Sequence, residues 1–336
     1  MLGWFRKSVL FLGGLALGST VLAQSAAGAA EDASAQALVD AVVLVETTAL
    51  PDAHSIETLG RERSGSGVLI DERGYVLTIG YLVMEAGSIS VTNNGDRTVP
   101  AALVAYDHAT GFALLKLLAP LDAQPMALGD SGAVHERDVV MVLPFGGREA
   151  AQLERVVSKR AFTGSWEYML EEAIFVAPMT RQFAGAPLIG RDRKLIGLGS
   201  LGVRDAAGDG GAVSGNMFVP IDILKPILAD MIADGKRKGA GRPWLGLGTE
   251  QFHGMLVVTR VSPDGPAASA GVEPGDVVIG VSNAVVHSQA DLYRRVWELG
   301  DAGVKVPLRV KRGVEVREVV VESIERTAYF RQPTLQ

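Results

Sequence analysis

Short alternating or β-branched runs separated by Gly, Asp or Pro turns fill the chain from Val39 to about Val219, and they constrain the fold more than any other feature. Gly67-Val-Leu-Ile70, Tyr75-Val-Leu-Thr78, Ile89-Ser-Val91, Val139-Val-Met-Val-Leu143 and Leu195-Ile-Gly-Leu198 are examples. Strands at this spacing, with almost no helical periodicity between them, indicate an all-β barrel or sandwich. One amphipathic segment follows at Ile221–Ala233, with Leu224, Ile227, Leu228 and Met231 on one face. Pro226 is acceptable only in a first turn, so the helix proper starts close to it. Gly235-Lys-Arg-Lys-Gly-Ala-Gly-Arg-Pro243 then reads as a charged, Gly-rich linker whose basic side chains solvate it rather than form a binding patch. From Trp244 to about Arg326, short strands surround one clear helix at Ser288–Leu299, as in a small α/β module. The expected division is a β domain over 36–234, a linker over 235–242 and a small domain over 243–326. Gly208–Gly215 reads as a flexible surface loop, because no Lys-Ser/Thr helix start follows it to make a phosphate cradle.

The 336 residues suffice for two or three domains. The absence of cysteine removes disulfide scaffolds, thiolate metal sites and cysteine nucleophiles. Any histidine chemistry must use His54, His108, His135, His253 or His287. They are scattered, with no H-x-x-x-H pair, so neither a metal nor another cofactor is implied. The net charge is −6 and no long basic run breaks the balance, which argues against a nucleic-acid partner. Residues 1–23 combine Arg6-Lys7, an apolar run from Val9 to Leu17 and Val21-Leu22-Ala23, the pattern of a signal peptide cleaved after Ala23. A second cleavage site is available near Ala27-Gly28-Ala29. The apolar run is short for a membrane span, so an exported, periplasmic protein without a stable span is expected rather than an anchored one.

Ser64-Gly-Ser-Gly-Val-Leu-Ile70 and Gly74-Tyr-Val-Leu-Thr78, followed in order by Leu114-Leu-Lys-Leu117, Leu128-Gly-Asp-Ser131, Gly185-Ala-Pro-Leu-Ile189 and Val219-Pro-Ile-Asp222, resemble the HtrA/DegP-type trypsin-like serine proteases. Pro243-Trp-Leu-Gly-Leu247, Ser262-Pro-Asp-Gly-Pro-Ala267 and Ala270-Gly-Val-Glu-Pro-Gly-Asp-Val-Val278 are similar to the PDZ domain that follows the protease in that family. The resemblance spans roughly residues 36–326. It implies a mainly β chain, with a trypsin-like double β-barrel followed by a small α/β PDZ domain. It also implies homo-oligomers assembled through N-terminal contacts. The segment before Ser64 has no obvious aromatic docking motif, so oligomeric state stays open.

At the three positions that carry the family's chemistry, the chain departs from the pattern. The family's T-N-x-H-V-V string, with its general-base histidine, matches Thr78-Ile-Gly-Tyr-Leu-Val83 and leaves Tyr81 in that place. Its D-L-A-L-L-K string, with the orienting aspartate, matches Gly111-Phe-Ala-Leu-Leu-Lys116. Its N-P-G-N-S-G-G-P-L string, with the nucleophile, matches Thr180-Arg-Gln-Phe-Ala-Gly-Ala-Pro-Leu188, so Ala184 replaces serine. Alanine has no oxygen to form an acyl-enzyme, and glycine no carboxylate to orient an imidazole. A tyrosine hydroxyl with a pKa near ~10 is a poor base at neutral pH. Gln182 also replaces the glycine two residues before the serine, where a side chain disfavours the left-handed turn of an oxyanion hole. His108, three residues before Gly111, is the nearest substitute base, but a lone histidine in a polar loop reads more simply as a surface residue.

The PDZ-like module keeps a recognisable binding signature. Such domains add an extended C-terminal peptide to a sheet edge, and a loop of free N–H groups receives the terminal carboxylate. Trp244, Leu245, Gly246 and Leu247 resemble that loop, with Arg242 as an electrostatic aid and Leu245 and Leu247 lining the apolar pocket for the last side chain. Leu292 and Val296, at i and i+4 of the helix, are expected to face the domain core. Two readings compete: a pseudoprotease that binds protein C-termini or extended peptides as a scaffold, adaptor or chaperone-like factor, or a serine endopeptidase of protein quality control working through relocated residues.

Overall fold

The computed structural model describes residues 32–331. The signal-peptide reading of residues 1–23 and the second cleavage site near Ala27–Ala29 lie outside the described residues. After a short helix α1 (32–40), six strands form the first closed barrel: β1 (Val42–Ala49), β2 (Glu62–Leu69), β3 (Tyr75–Ile79), β4 (Ala86–Thr92), β5 (Thr98–Tyr106) and β6 (Phe112–Leu117). Helix α2 (Ile56–Leu59) lies between the first two strands. The second closed barrel is β7 (Val139–Val142), β8 (Gln152–Gly164), β9 (Tyr168–Ala177), β10 (Pro187–Ile189), β11 (Leu195–Val203) and β12 (Gly215–Pro220). Around the ring the strand orders are β1-β2-β3-β6-β5-β4 and β7-β8-β9-β12-β11-β10, so the two barrels repeat one antiparallel topology. Closing the sheets leaves no open edge and encloses an interior lined by alternate side chains.

All six residues of β12 are buried, and among them is the polar Asn216. Its amide is satisfied by the loop that leads into the site: the Thr180 N–H donates to Asn216 Oδ1 at 2.7 Å, and Asn216 Nδ2 donates to the Thr180 carbonyl at 3.1 Å. A buried amide with both ends bonded fixes that loop more firmly than apolar packing could.

The amphipathic segment begins as a 3₁₀ turn at Ile221–Ile223 and becomes helix α3 only at Lys225–Asp234, with Pro226 in the first turn. Leu224, Ile227 and Met231 are buried, and Gly235 closes the helix with a left-handed φ of 69°. Two of the basic residues that follow have acidic partners: Arg237 Nε stands 3.3 Å from Asp107 Oδ1, and the exposed Lys238 Nζ 3.0 Å from Asp230 Oδ1. Both acids lie outside the linker string, so composition alone could not expose these pairs. In the glycine-rich loop, the Gly208 N–H donates to the Asp205 carboxylate at 2.7 Å, and Gly215 belongs to β12 rather than to the loop.

The C-terminal unit opens with β13 (Pro243–Trp244) and contains β14 (Leu247–Phe252), β15 (Met255–Val261), helix α4 (Pro266–Ser269), β16 (Val277–Val281), β17 (Ala284–Val285), helix α5 (Gln289–Glu298), β18 (Lys305–Arg312) and β19 (Glu315–Glu322). β20 (Ile324–Glu325) returns to pair with β13, and helix α6 (Arg326–Tyr329) ends the described chain. The main sheet runs β14-β15-β16-β18-β19, with β17 on β16. Ser288 caps α5 by accepting the Asp291 N–H at 3.1 Å. Leu292 and Val296 are buried in this unit's apolar cluster, as their helical spacing predicts.

Candidate functional site

Tyr81 sits on a 3₁₀ turn, Gly80–Leu82, at the end of β3. Its hydroxyl donates to the Ser200 carbonyl on β11 at 2.9 Å, linking the two barrels. Burial pushes that phenol's pKa up, away from any role as a base at neutral pH. Gly111 has φ +86°. Its N–H donates to the Asp107 carbonyl at 2.8 Å, and its own carbonyl accepts the Gly80 N–H at 2.8 Å. A Cβ here would stand 3.1 Å from the Tyr168 hydroxyl oxygen, which is held by donating to the Thr110 carbonyl at 2.7 Å. Asp107, close by in sequence, is committed elsewhere. It accepts the Thr110 hydroxyl at 2.6 Å and pairs with Arg237.

Ala184 lies on a tight turn that the structure keeps intact. Its carbonyl accepts the Ser66 N–H at 2.8 Å, and Gly185 donates to the Gly199 carbonyl at 2.9 Å with φ +68°. A side chain on Gly185 would meet the Ser66 carbonyl oxygen at 2.0 Å, so glycine is required there. Gln182 is exposed and is not among the residues of left-handed φ, so the special turn expected of a glycine at that position is absent. Tyr81, Gly111, Phe183 and Ser200 line a cavity of about 1050 Å³ that extends to Trp244 and Gly246.

His108 corrects the surface expectation. Its ring lies 3.9 Å from the centroid of a tilted Tyr106 and stacks at 5.6 Å on Phe330, with a buried Nδ1 that has no hydrogen-bond partner. Burial holds its pKa well below the ordinary histidine value, with the Arg326 charge acting in the same direction. It lines a cavity of about 430 Å³ that adjoins the one holding Tyr81, with Tyr106, Tyr168 and Trp244 lining both. Among the described residues no three His, Asp or Glu side chains converge on one point.

The loop expected to receive a terminal carboxylate holds the least expected arrangement. Its amides are not free: the N–H groups of Leu245, Gly246 and Leu247 donate to the Glu167 carboxylate at 2.9, 2.7 and 2.9 Å. Glu167 belongs to the turn between β8 and β9, in the second barrel. Burial pushes its carboxyl up to about 7, and the three amides and Arg326 oppose that rise. Arg242, expected to aid a bound carboxylate, instead lays its guanidinium over the Trp297 ring at 4.1 Å. Leu245 and Leu247 are buried in the apolar cluster of the C-terminal unit, and Trp244 packs against Tyr329 with ring centroids 4.8 Å apart. Sequence reasoning missed Glu167, Arg326 and Tyr329. A glutamate in a Ser-Trp-Glu turn carries no spacing signal, and the last two lie at or beyond the end of the recognised pattern.

Comparison with known proteins agrees with this architecture. Residues 65–198 match the trypsin-like peptidase domain family and residues 243–322 the PDZ domain family. The serine endoprotease DegS of Escherichia coli strain K12 is 29% identical over 265 residues, covering 74% of this chain and 73% of that protein. A probable periplasmic serine endoprotease DegP-like of Halomonas elongata is 28% identical over 278 residues, covering 78% of this chain and 56% of its own length. Among solved structures, the HtrA-type protease AlgW with a decapeptide shares the fold at TM-score 0.52 and 21% identity, covering 90% of this chain and 99% of that one.

Proposed function

The chain belongs to the HtrA-type family, with a trypsin-like domain followed by a PDZ domain, and from that membership we propose that it works without catalysis, as a periplasmic scaffold, adaptor or chaperone-like factor that binds peptides or proteins. The observation that carries this reading is Gly111 itself, which offers no carboxylate and where an added Cβ would be crowded at 3.1 Å by the Tyr168 hydroxyl oxygen. Ala184 offers no nucleophile and the buried Tyr81 hydroxyl is committed to Ser200. Relocated catalysis finds no support: the buried Nδ1 of His108 has no hydrogen-bond partner to orient it, and Asp107 is bonded to Thr110 and Arg237.

Binding is supported by the family's PDZ domain and by the loop Trp244, Leu245, Gly246, Leu247, whose amides are already arranged around a carboxylate. The cavity between Tyr81 and Trp244 gives further room for an extended chain. A periplasmic location is supported by the N-terminal export pattern and by the relative named as periplasmic. No helix among the described residues is long and apolar enough to cross a membrane. The test is incubation of the purified chain with unfolded casein and a serine-reactive fluorophosphonate, alongside an array of peptides with free or amidated C-termini. Intact casein, no labelling and capture that depends on a free carboxylate are expected. Degradation or labelling that co-purifies with the protein would overturn the reading.

A further inference from the structure

The turn between β8 and β9 meets the PDZ groove at more points than one carboxylate. While Glu167 takes the amides of Leu245, Gly246 and Leu247, the Ser165 carbonyl accepts the Thr249 N–H of β14 at 3.2 Å, a main-chain bond of the kind an added strand would make. Two residues beyond Glu167, Met169 is buried in the same apolar cluster as Leu245, Leu247, Val258 and Leu292. From the other side of the groove, α5 clamps the turn. The Tyr293 hydroxyl accepts the Glu167 N–H at 3.2 Å and donates to the Gly164 carbonyl at 2.7 Å. Glu167 adopts φ +59°, a left-handed backbone state uncommon for a residue with a side chain. A carboxylate on the loop, a carbonyl on the adjacent strand and an apolar side chain in the pocket are the three things a C-terminal peptide supplies.

We propose that the 164–169 turn is an internal ligand of the PDZ groove, with Glu167 standing in for a terminal carboxylate and Met169 for the last side chain, so that an external C-terminal peptide binds only by displacing it. This rests on the peptide-binding reading above and adds its regulation: the groove is closed by the chain's own barrel, and peptide capture separates the PDZ domain from that turn. The affinity seen by an external peptide is then reduced by the fraction of molecules in which the turn is undocked.

The test compares the full-length protein with Glu167→Asn, which keeps a residue tolerant of left-handed φ but removes the carboxylate's reach, and with Tyr293→Phe, which removes the clamp without touching the loop. Amide hydrogen exchange at Leu245–Leu247 reports docking, and an array of decapeptides with free or amidated C-termini reports access. Faster exchange in Glu167→Asn, at least tenfold greater capture of free-carboxylate peptides, and a smaller gain in Tyr293→Phe are expected. Unchanged exchange overturns the docking, and faster exchange with wild-type capture already equal to that of the variant overturns the competition. Faster exchange with no capture by any of the three proteins instead overturns the peptide-binding reading, and the claim of competition falls with it while the internal contact stands.

Discussion

A Cβ placed on Gly111 would lie 3.1 Å from the hydroxyl oxygen of Tyr168, and that hydroxyl is itself bonded to the Thr110 carbonyl at 2.7 Å. A side chain at position 111 would therefore be crowded by a phenol whose hydroxyl already has a partner. Gly111→Asp combines this crowding with a left-handed φ of +86°, and should cost about 1–3 kcal/mol. Its unfolding midpoint should fall in a thermal melt, and the triple variant Tyr81→His, Gly111→Asp, Ala184→Ser should remain unlabelled by a serine-reactive probe. Rapid labelling of the triple variant would show that the cleft needs only its three residues restored.

Tyr81 joins the barrels through one hydrogen bond, from its hydroxyl to the Ser200 carbonyl. Tyr81→Phe keeps the ring and removes that bond, leaving the carbonyl short of a partner, so a loss of about 0.5–1.5 kcal/mol is expected. Urea denaturation measures it directly, and a change within error would mean that water replaces the hydroxyl at no cost.

The Asp276 carboxylate is buried and receives Arg312 through two bonds, at 2.7 and 2.9 Å. The guanidinium holds its pKa below the ordinary carboxylate value, so this contribution is present above the unfolded pKa and is lost as pH falls through the lower, folded one. Asp276→Asn should lower the midpoint of the PDZ domain by at least roughly 5 °C at pH 7 and reduce its sensitivity to acid. Hydrogen exchange resolved on β16 and β18, compared at pH 6 and pH 3, separates this domain from the barrels.

Glu154 presents the opposite sign. It is buried, its Oε1 accepts the Thr180 hydroxyl, and its Oε2 has no partner. Burial raises its carboxyl from the usual 4.5 to about 7. The folded state thus takes up a proton that the unfolded chain releases, and stability falls as pH rises across that window. Urea denaturation between pH 5 and pH 8 should show this decline, and Glu154→Gln should flatten it and gain at pH 8. Glu167, raised to the same value, keeps a residual slope in the variant.

What could be read from the chain itself was local. The runs at 67–70, 75–78 and 195–198 fall in β2, β3 and β11 because a short apolar run bounded by turn residues is a property of the segment alone. Ser288 before Asp291 and the Leu292/Val296 pair located α5 and its buried face for the same reason. The identities of Tyr81, Gly111 and Ala184 at the matched motif positions are likewise read from the sequence alone.

Other features depend on residues far apart in sequence. His108 is a ring packed under Phe330, and Arg237 answers Asp107 across more than a hundred residues. Asp276 stands in a recognisable turn, while its partner Arg312 stands 36 residues later, outside any motif. The carboxylate loop shows the division most clearly. Its residues announce a carboxylate site, but the carboxylate that occupies it belongs to Glu167, 78 residues before Leu245. Spacing along the chain fixes neither the partner nor the distance of such a contact. The meeting of Glu167 with Leu245–Leu247 exists only once the second barrel's hairpin and the PDZ sheet are folded and brought together.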